Sequence, residues 1–115
     1  MAAQPVSDIV QSYLRVLRQE GMPVDFAVLF GSQARGEATE WSDIDLLVVS
    51  PLFDGVKTRD DIDLLWTATS RADVRIEPVP VGTRQWLEDE TTPLIEEARR
   101  DGQIIRLAES DNLAA

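Results

Sequence analysis

The sequence predicts an α/β domain, a small mixed sheet with helices packed mainly against it. Residues 25–30 and 44–50 are apolar runs of strand length. In the second, Leu46, Leu47, Val48 and Val49 are apolar at successive positions, as expected of a central strand covered on both faces. Val6, Ile9, Val10, Tyr13, Leu14 and Leu17 instead recur at helical spacing. Helix-like and strand-like segments then alternate along the chain. No repeat, low-complexity tract or linker interrupts them, so residues 1–115 read as a single domain.

The elements follow in order. Gly21 and Pro23 stop the first helix. After the two strands, 51–56 reads as a loop and 60–70 as a helix with Ile62, Leu65 and Trp66 on one side, Trp66 being assigned to the core. Asp60, Asp61 and Asp63 lie near its start, where acids favour the helix dipole, and are read as solvated rather than as metal ligands. Residues 74–81 form a third strand, whose Pro78 and Pro80 confine its later part to a sheet edge or an exit. Two short helices are expected around 83–90 and 93–100, with Gly102 as the stop. A last strand over 103–107 precedes a loose tail over 108–115.

Composition narrows the chemistry. The chain has no cysteine and no histidine, which removes disulfides, thiolate and imidazole metal sites, and the commonest general base. Acid–base or metal work must rest on carboxylates. With 21 acidic against 11 basic residues the formal charge is −10, which repels a nucleic-acid backbone; the excess either keeps a small domain soluble or complements a basic partner. No apolar stretch approaches membrane-spanning length, and MAAQPVSD lacks the regions of a signal peptide. A cytoplasmic protein without a membrane partner is the expectation.

Between the first two strands stands GSQARGEATEWSDID, a Gly-Ser pair followed after ten residues by Asp43 and Asp45. Strand side chains alternate faces, so Asp43 and Asp45 project together and Ile44 opposes them. Two carboxylates on one face repel each other unless a cation joins them, and hard oxygen ligands suit magnesium. Gly31 permits a sharp turn and close approach to a phosphate. Ser32 adds a hydroxyl, and the N–H groups after it can form an anion nest. Arg35 adds a charged fork for phosphate oxygens.

The stretch GSQARGEATEWSDIDLLVV resembles the minimal nucleotidyltransferases (the MNT family) of the DNA polymerase β-like superfamily. The resemblance implies the nucleotidyltransferase fold and transfer of AMP from ATP to a hydroxyl. It implies two magnesium ions held by Asp43 and Asp45, with Gly31 and Ser32 seating phosphates. It also implies a third carboxylate on the following strand, as base or metal ligand. Glu77 is the first candidate and Asp73 the second, and a salt bridge from Glu77 to Arg75 is the structural alternative. Members of the family are typically antitoxins that add AMP to a tyrosine of a HEPN-domain ribonuclease toxin, which implies assembly with that toxin. A small-molecule nucleotidyltransferase of the aminoglycoside-modifying kind and a non-catalytic binding antitoxin are the rival readings.

Two tryptophans bear on the site. Trp41, just before Asp43, either packs its loop or stacks on a base, and packing is the favoured reading. Trp86, beside Arg84, could line a partner surface, and the sequence does not decide this.

Overall fold

The computed structural model describes residues 4–108. Helix α1 (Val6–Gln19) leads into strands β1 (Phe26–Phe30) and β2 (Ile44–Val49), then helix α2 (Arg59–Thr67), strand β3 (Ile76–Val81), helices α3 (Thr83–Glu88) and α4 (Pro93–Asp101), and strand β4 (Gln103–Ile105). The four strands form one mixed sheet in the order β3-β2-β1-β4. β1 runs antiparallel to β2 and to β4, whereas β2 and β3 are parallel and joined through α2.

Two apolar clusters lie on opposite faces of this sheet. On one, Ala27, Leu29, Ile44, Leu46 and Val48 meet Val10, Tyr13, Leu14 and Leu17 of α1 and Leu65 of α2. On the other, Phe26, Val28, Leu47 and Val49 meet Ile95 and Ala98 of α4, with Trp86 of α3 at the margin. The alternation that sorts side chains between faces explains why β2 is apolar at successive positions. Polar groups inside are satisfied: Tyr13, fully buried, donates to Leu65 O at 2.7 Å, and Ser50 to Pro23 O at 2.6 Å.

Some elements differ from the sequence reading. Residues 51–53 form a short 3-10 turn inside the expected loop, because the Ser50 hydroxyl accepts the Leu52 N–H at 3.2 Å. The expected helix over 60–70 is α2 followed by a 3-10 turn over Ala68–Arg71. Trp66 is 49% exposed and so is not core; Leu65 alone is buried on α2. β3 begins at Ile76 rather than 74 because Asp73 folds back onto Arg75. Its edge position agrees with its prolines. β4 stops at Ile105, and Ala108 N–H is tied to Gln11 Oε1 at 2.9 Å. The rest of the expected tail, 109–115, lies outside the described residues.

Trp86 is partly buried, edge-on to Phe26 at 5.8 Å, with the Arg99 guanidinium 5.6 Å from its ring. It therefore anchors α3 to the sheet. Among the described residues no helix is long and apolar enough to cross a membrane.

Candidate active site

β1 ends at Phe30 and the chain turns at once. Gly31 has φ +71°, a conformation that side-chain-bearing residues avoid. A Cβ built on it would collide with Asp45 Oδ2 and sit 3.3 Å from Asp45 Cγ. Both the turn and the carboxylate packed against it require glycine here.

A tight helical turn follows. Arg35 N–H donates to Gly31 O at 3.2 Å and Glu37 N–H to Ser32 O at 3.0 Å, and Gly36, at φ +73°, lets the chain leave. The N–H groups of Ser32, Gln33 and Ala34 come before the first of these bonds and have no acceptor within the turn. They are the donors an anion would use. Gln33 also reaches forward, its Nε2 donating to Asp43 O at 3.4 Å, which links the turn to the start of β2.

Asp45 is paired with Glu77 across the parallel β2–β3 register. Alternation places both on the face that carries Leu47 and Val81, while Ile44 and Ile76 enter the opposite cluster. Burial pushes the Asp45 carboxyl above its ordinary value. Sharing a proton with Glu77 opposes that, the negative charges of Asp43 and Glu97 reinforce it, and Arg35 offsets part of it. Glu77 is raised as well, first by desolvation, then by the charges of Asp43 and Asp45, and by the proton it can share with either. The three carboxylates thus form one electrostatic unit, with Asp45 and Glu77 on one face of the sheet and Asp43 just before β2.

Arg35 forms its closest pair with Glu37, Nε to Oε1 at 2.7 Å, and its Nη1 lies 3.9 Å from Glu97 Oε2. Its charge is felt at Asp45 without a direct bond. Asp73 stands apart. Its carboxylate accepts from Arg75 Nε at 3.1 Å and Nη2 at 2.8 Å, so Arg75 pairs with Asp73 rather than with Glu77. Glu97, on α4, joins the electrostatics of the site although the motif gives no signal for it, since only the packing of α4 against β1 brings it there.

The donors at this site are hard carboxylate oxygens crowded together, a donor set that fits magnesium. No three or more of the described acidic side chains make a ready-made cage. Magnesium does not need one, because it keeps waters and completes its shell with substrate phosphates. A cavity of about 380 Å³ lined by Asp54, Gly55, Arg84, Gln85, Glu88 and Asp89 lies beyond the other end of β2 and is no part of this site.

Comparison with known proteins bears on the fold and the family. The family model described as "Nucleotidyltransferase domain" matches residues 10–104. No curated protein matches the chain significantly by sequence. Among solved structures, one similar chain comes from a toxin–antitoxin complex with AMP-PNP, at 20% identity and TM-score 0.60, covering 91% of this chain and 78% of that one. A second comes from a mutant form of the toxin–antitoxin MntA–HpeT, at 21% identity and TM-score 0.58, covering 97% and 80%. A third comes from tri-AMPylated Shewanella oneidensis HEPN toxin in complex with MNT antitoxin, at 17% identity and TM-score 0.54, covering 94% and 78%. At these identities the likeness is one of fold. The family match spans most of the chain, including the Gly31 turn and all three carboxylates, and on that ground the chain belongs to the nucleotidyltransferase domain family.

Proposed function

We propose that this chain transfers AMP from ATP to the hydroxyl of a tyrosine on a HEPN-domain toxin and thereby acts as its antitoxin. The observation that carries the reading is the gathering of Asp43, Asp45 and Glu77 into one electrostatic unit, beside a glycine turn packed directly on Asp45. The resemblance of the fold to chains from toxin–antitoxin complexes, one of them a HEPN toxin with MNT antitoxin, supports the choice of acceptor.

Asp43 and Asp45 would hold magnesium, with Glu77 alongside. Bound magnesium supplies positive charge where the transferred phosphoryl group and the leaving pyrophosphate are most negative. The chain's own residues do the rest. The Gly31 turn and the N–H groups of Ser32, Gln33 and Ala34 seat the terminal phosphates, with the Ser32 hydroxyl beside them. Arg35 can exchange Glu37 for a phosphate oxygen at little cost, since both it and Glu37 are exposed. The acceptor oxygen forms a bond to the α-phosphorus as the bond to pyrophosphate breaks, and its proton passes to Glu77. A carboxylate raised above its ordinary value is the better base for that transfer. The mechanism is one of positioning and electrostatics.

The deciding experiment incubates the chain with ATP, Mg²⁺ and the HEPN-domain protein and follows intact mass. The expected result is AMP added to a tyrosine and a toxin that stays inactive after the chain is removed. Asp43→Asn should still bind the toxin yet fail to silence it. Silencing by Asp43→Asn with no added mass would replace the enzyme with a binding antitoxin.

A further inference from the structure

The loop before Asp43 is held in one shape. Thr39 N–H donates to Ser42 Oγ at 2.9 Å, Ser42 N–H to Thr39 O at 3.1 Å, and Trp41 N–H to Thr39 Oγ1 at 3.3 Å. Arg75, while forked onto Asp73, donates from Nη1 to the Glu40 carbonyl at 2.8 Å. The Arg75 carbonyl accepts the Ile44 N–H at 2.9 Å. The loop is therefore buckled to the start of β3 on both sides of Asp43. What this buckle presents is Trp41, 84% exposed rather than packed as the sequence reading favours. On the β3 side of the same buckle stands Val74, 78% exposed. Two large apolar side chains thus face solvent at the rim of the carboxylate site.

An ordered loop that keeps an indole in water sacrifices burial, and tryptophan is the residue type most enriched among those that dominate interface energies. Because the loop is already fixed, little ordering entropy is lost when a partner covers it. Charge selects the occupant. The chain carries −10, and the exposed Glu40 stands beside Trp41 in the loop. A cation over the ring gains from the π face and from that carboxylate and the net negative charge of the chain.

We propose that Trp41 is the docking anchor for the acceptor protein, covered by an arginine- or lysine-bearing segment of that partner. The proposal rests on the reading that AMP is transferred to a protein. Its chemistry is non-covalent and sets affinity for the acceptor, leaving the transfer step to the carboxylates.

The test uses the full chain, the HEPN-domain protein and Mg·ATP. Trp41→Ala should raise the KM for the acceptor about tenfold or more, with kcat and Mg·ATP affinity by calorimetry each within about twofold of wild type. Trp41→Phe should recover part of the loss, and added salt should narrow the gap between wild type and Trp41→Ala. A parallel loss of Mg·ATP affinity would assign the indole to base stacking and overturn the proposal, as would an unchanged KM. If wild type transfers no AMP at all, calorimetry of the two proteins still decides. A Kd weakened about tenfold by Trp41→Ala supports the anchor although the transfer reading has failed, and an equal Kd overturns it.

Discussion

Gly31 combines a left-handed backbone with a carboxylate in the place of its missing side chain. Gly31→Ala should therefore cost about 1–2 kcal/mol from φ alone and displace Asp45 as well. A misplacement of about 1 Å at a reacting centre is worth about 100-fold in rate, so the variant should lose transfer more completely than stability, read by urea melts beside a transfer assay. Glu77 and Asp73 make a second pair of contrasts. Glu77→Gln should reduce transfer about 100-fold or more while leaving stability unchanged or slightly higher, because it removes a carboxylate held above its ordinary value. Asp73→Asn should do the reverse, costing about 1 kcal/mol by loosening the fork from Arg75 with a smaller loss of turnover. If Asp73→Asn is the change that abolishes transfer, the third carboxylate is Asp73. At this scale the sequence is informative where geometry is local. Two-residue alternation is enough to place Asp43 and Asp45 together and Ile44 opposite. It fails at Arg75, where the Asp73 turn breaks the alternation that would have aligned Arg75 with Glu77.

At the scale of elements, what the sequence leaves hidden is which surface covers which. Helical spacing identifies the buried side of α1 because one stripe carries all its large apolar residues. α2 is shorter, and only Leu65 is fully buried, with Leu64 packed at the core's margin, while Trp66 one position on faces outward. Trp41 is exposed for a related reason: hydrogen bonds from Thr39, Ser42 and Arg75 shape its loop, and no apolar surface covers it. α3 shows a capping arrangement that crosses elements. Its N-cap, Gly82, has no side chain to offer, and the carboxylate of Asp54, from the loop after β2, accepts the Arg84 N–H at 3.1 Å and the Gln85 N–H at 3.3 Å. A Cβ at position 82 would lie 2.9 Å from Asp54 Cα, so glycine is what admits the cap. Asp54→Ala should cost about 1 kcal/mol and loosen α3 selectively, seen as faster amide exchange at Arg84 and Gln85 with β1 and β2 unaffected. Gly82→Ala should act on the same amides. Both variants should keep transfer close to wild type, since α3 lies at the end of β2 away from Asp43.

Across the whole molecule the crowding of charged carboxylates at the site opposes folding, and pH exposes that opposition. Asp45 and Glu77 are held above their ordinary values, so the native chain binds protons more tightly there than the unfolded chain does. Stability should then rise as pH falls from neutrality through their native values toward the ordinary carboxylate range of about 4. Asp73, lowered by its hydrogen bond with Arg75, and Asp89, lowered first by the Thr92 hydroxyl, act in the opposite sense. Their contributions are complete above about pH 4 and are lost as pH falls through their native values. The chain without ligand should accordingly be most heat-stable on the acid side of neutrality and weaken sharply below that. Mg·ATP should reverse the slope, because cation binding needs the same carboxylates deprotonated and stabilises only the native state. Its stabilisation should grow as pH rises from about 5 to about 8. Asp43→Asn combined with Asp45→Asn separates the causes. The double variant should melt higher than wild type at neutral pH without ligand, flatten the acid-side rise, and show no shift with Mg·ATP. Thermal melts across this range, with and without Mg·ATP, read all three effects at once. A double variant that keeps the full Mg·ATP shift would place nucleotide binding somewhere other than these carboxylates.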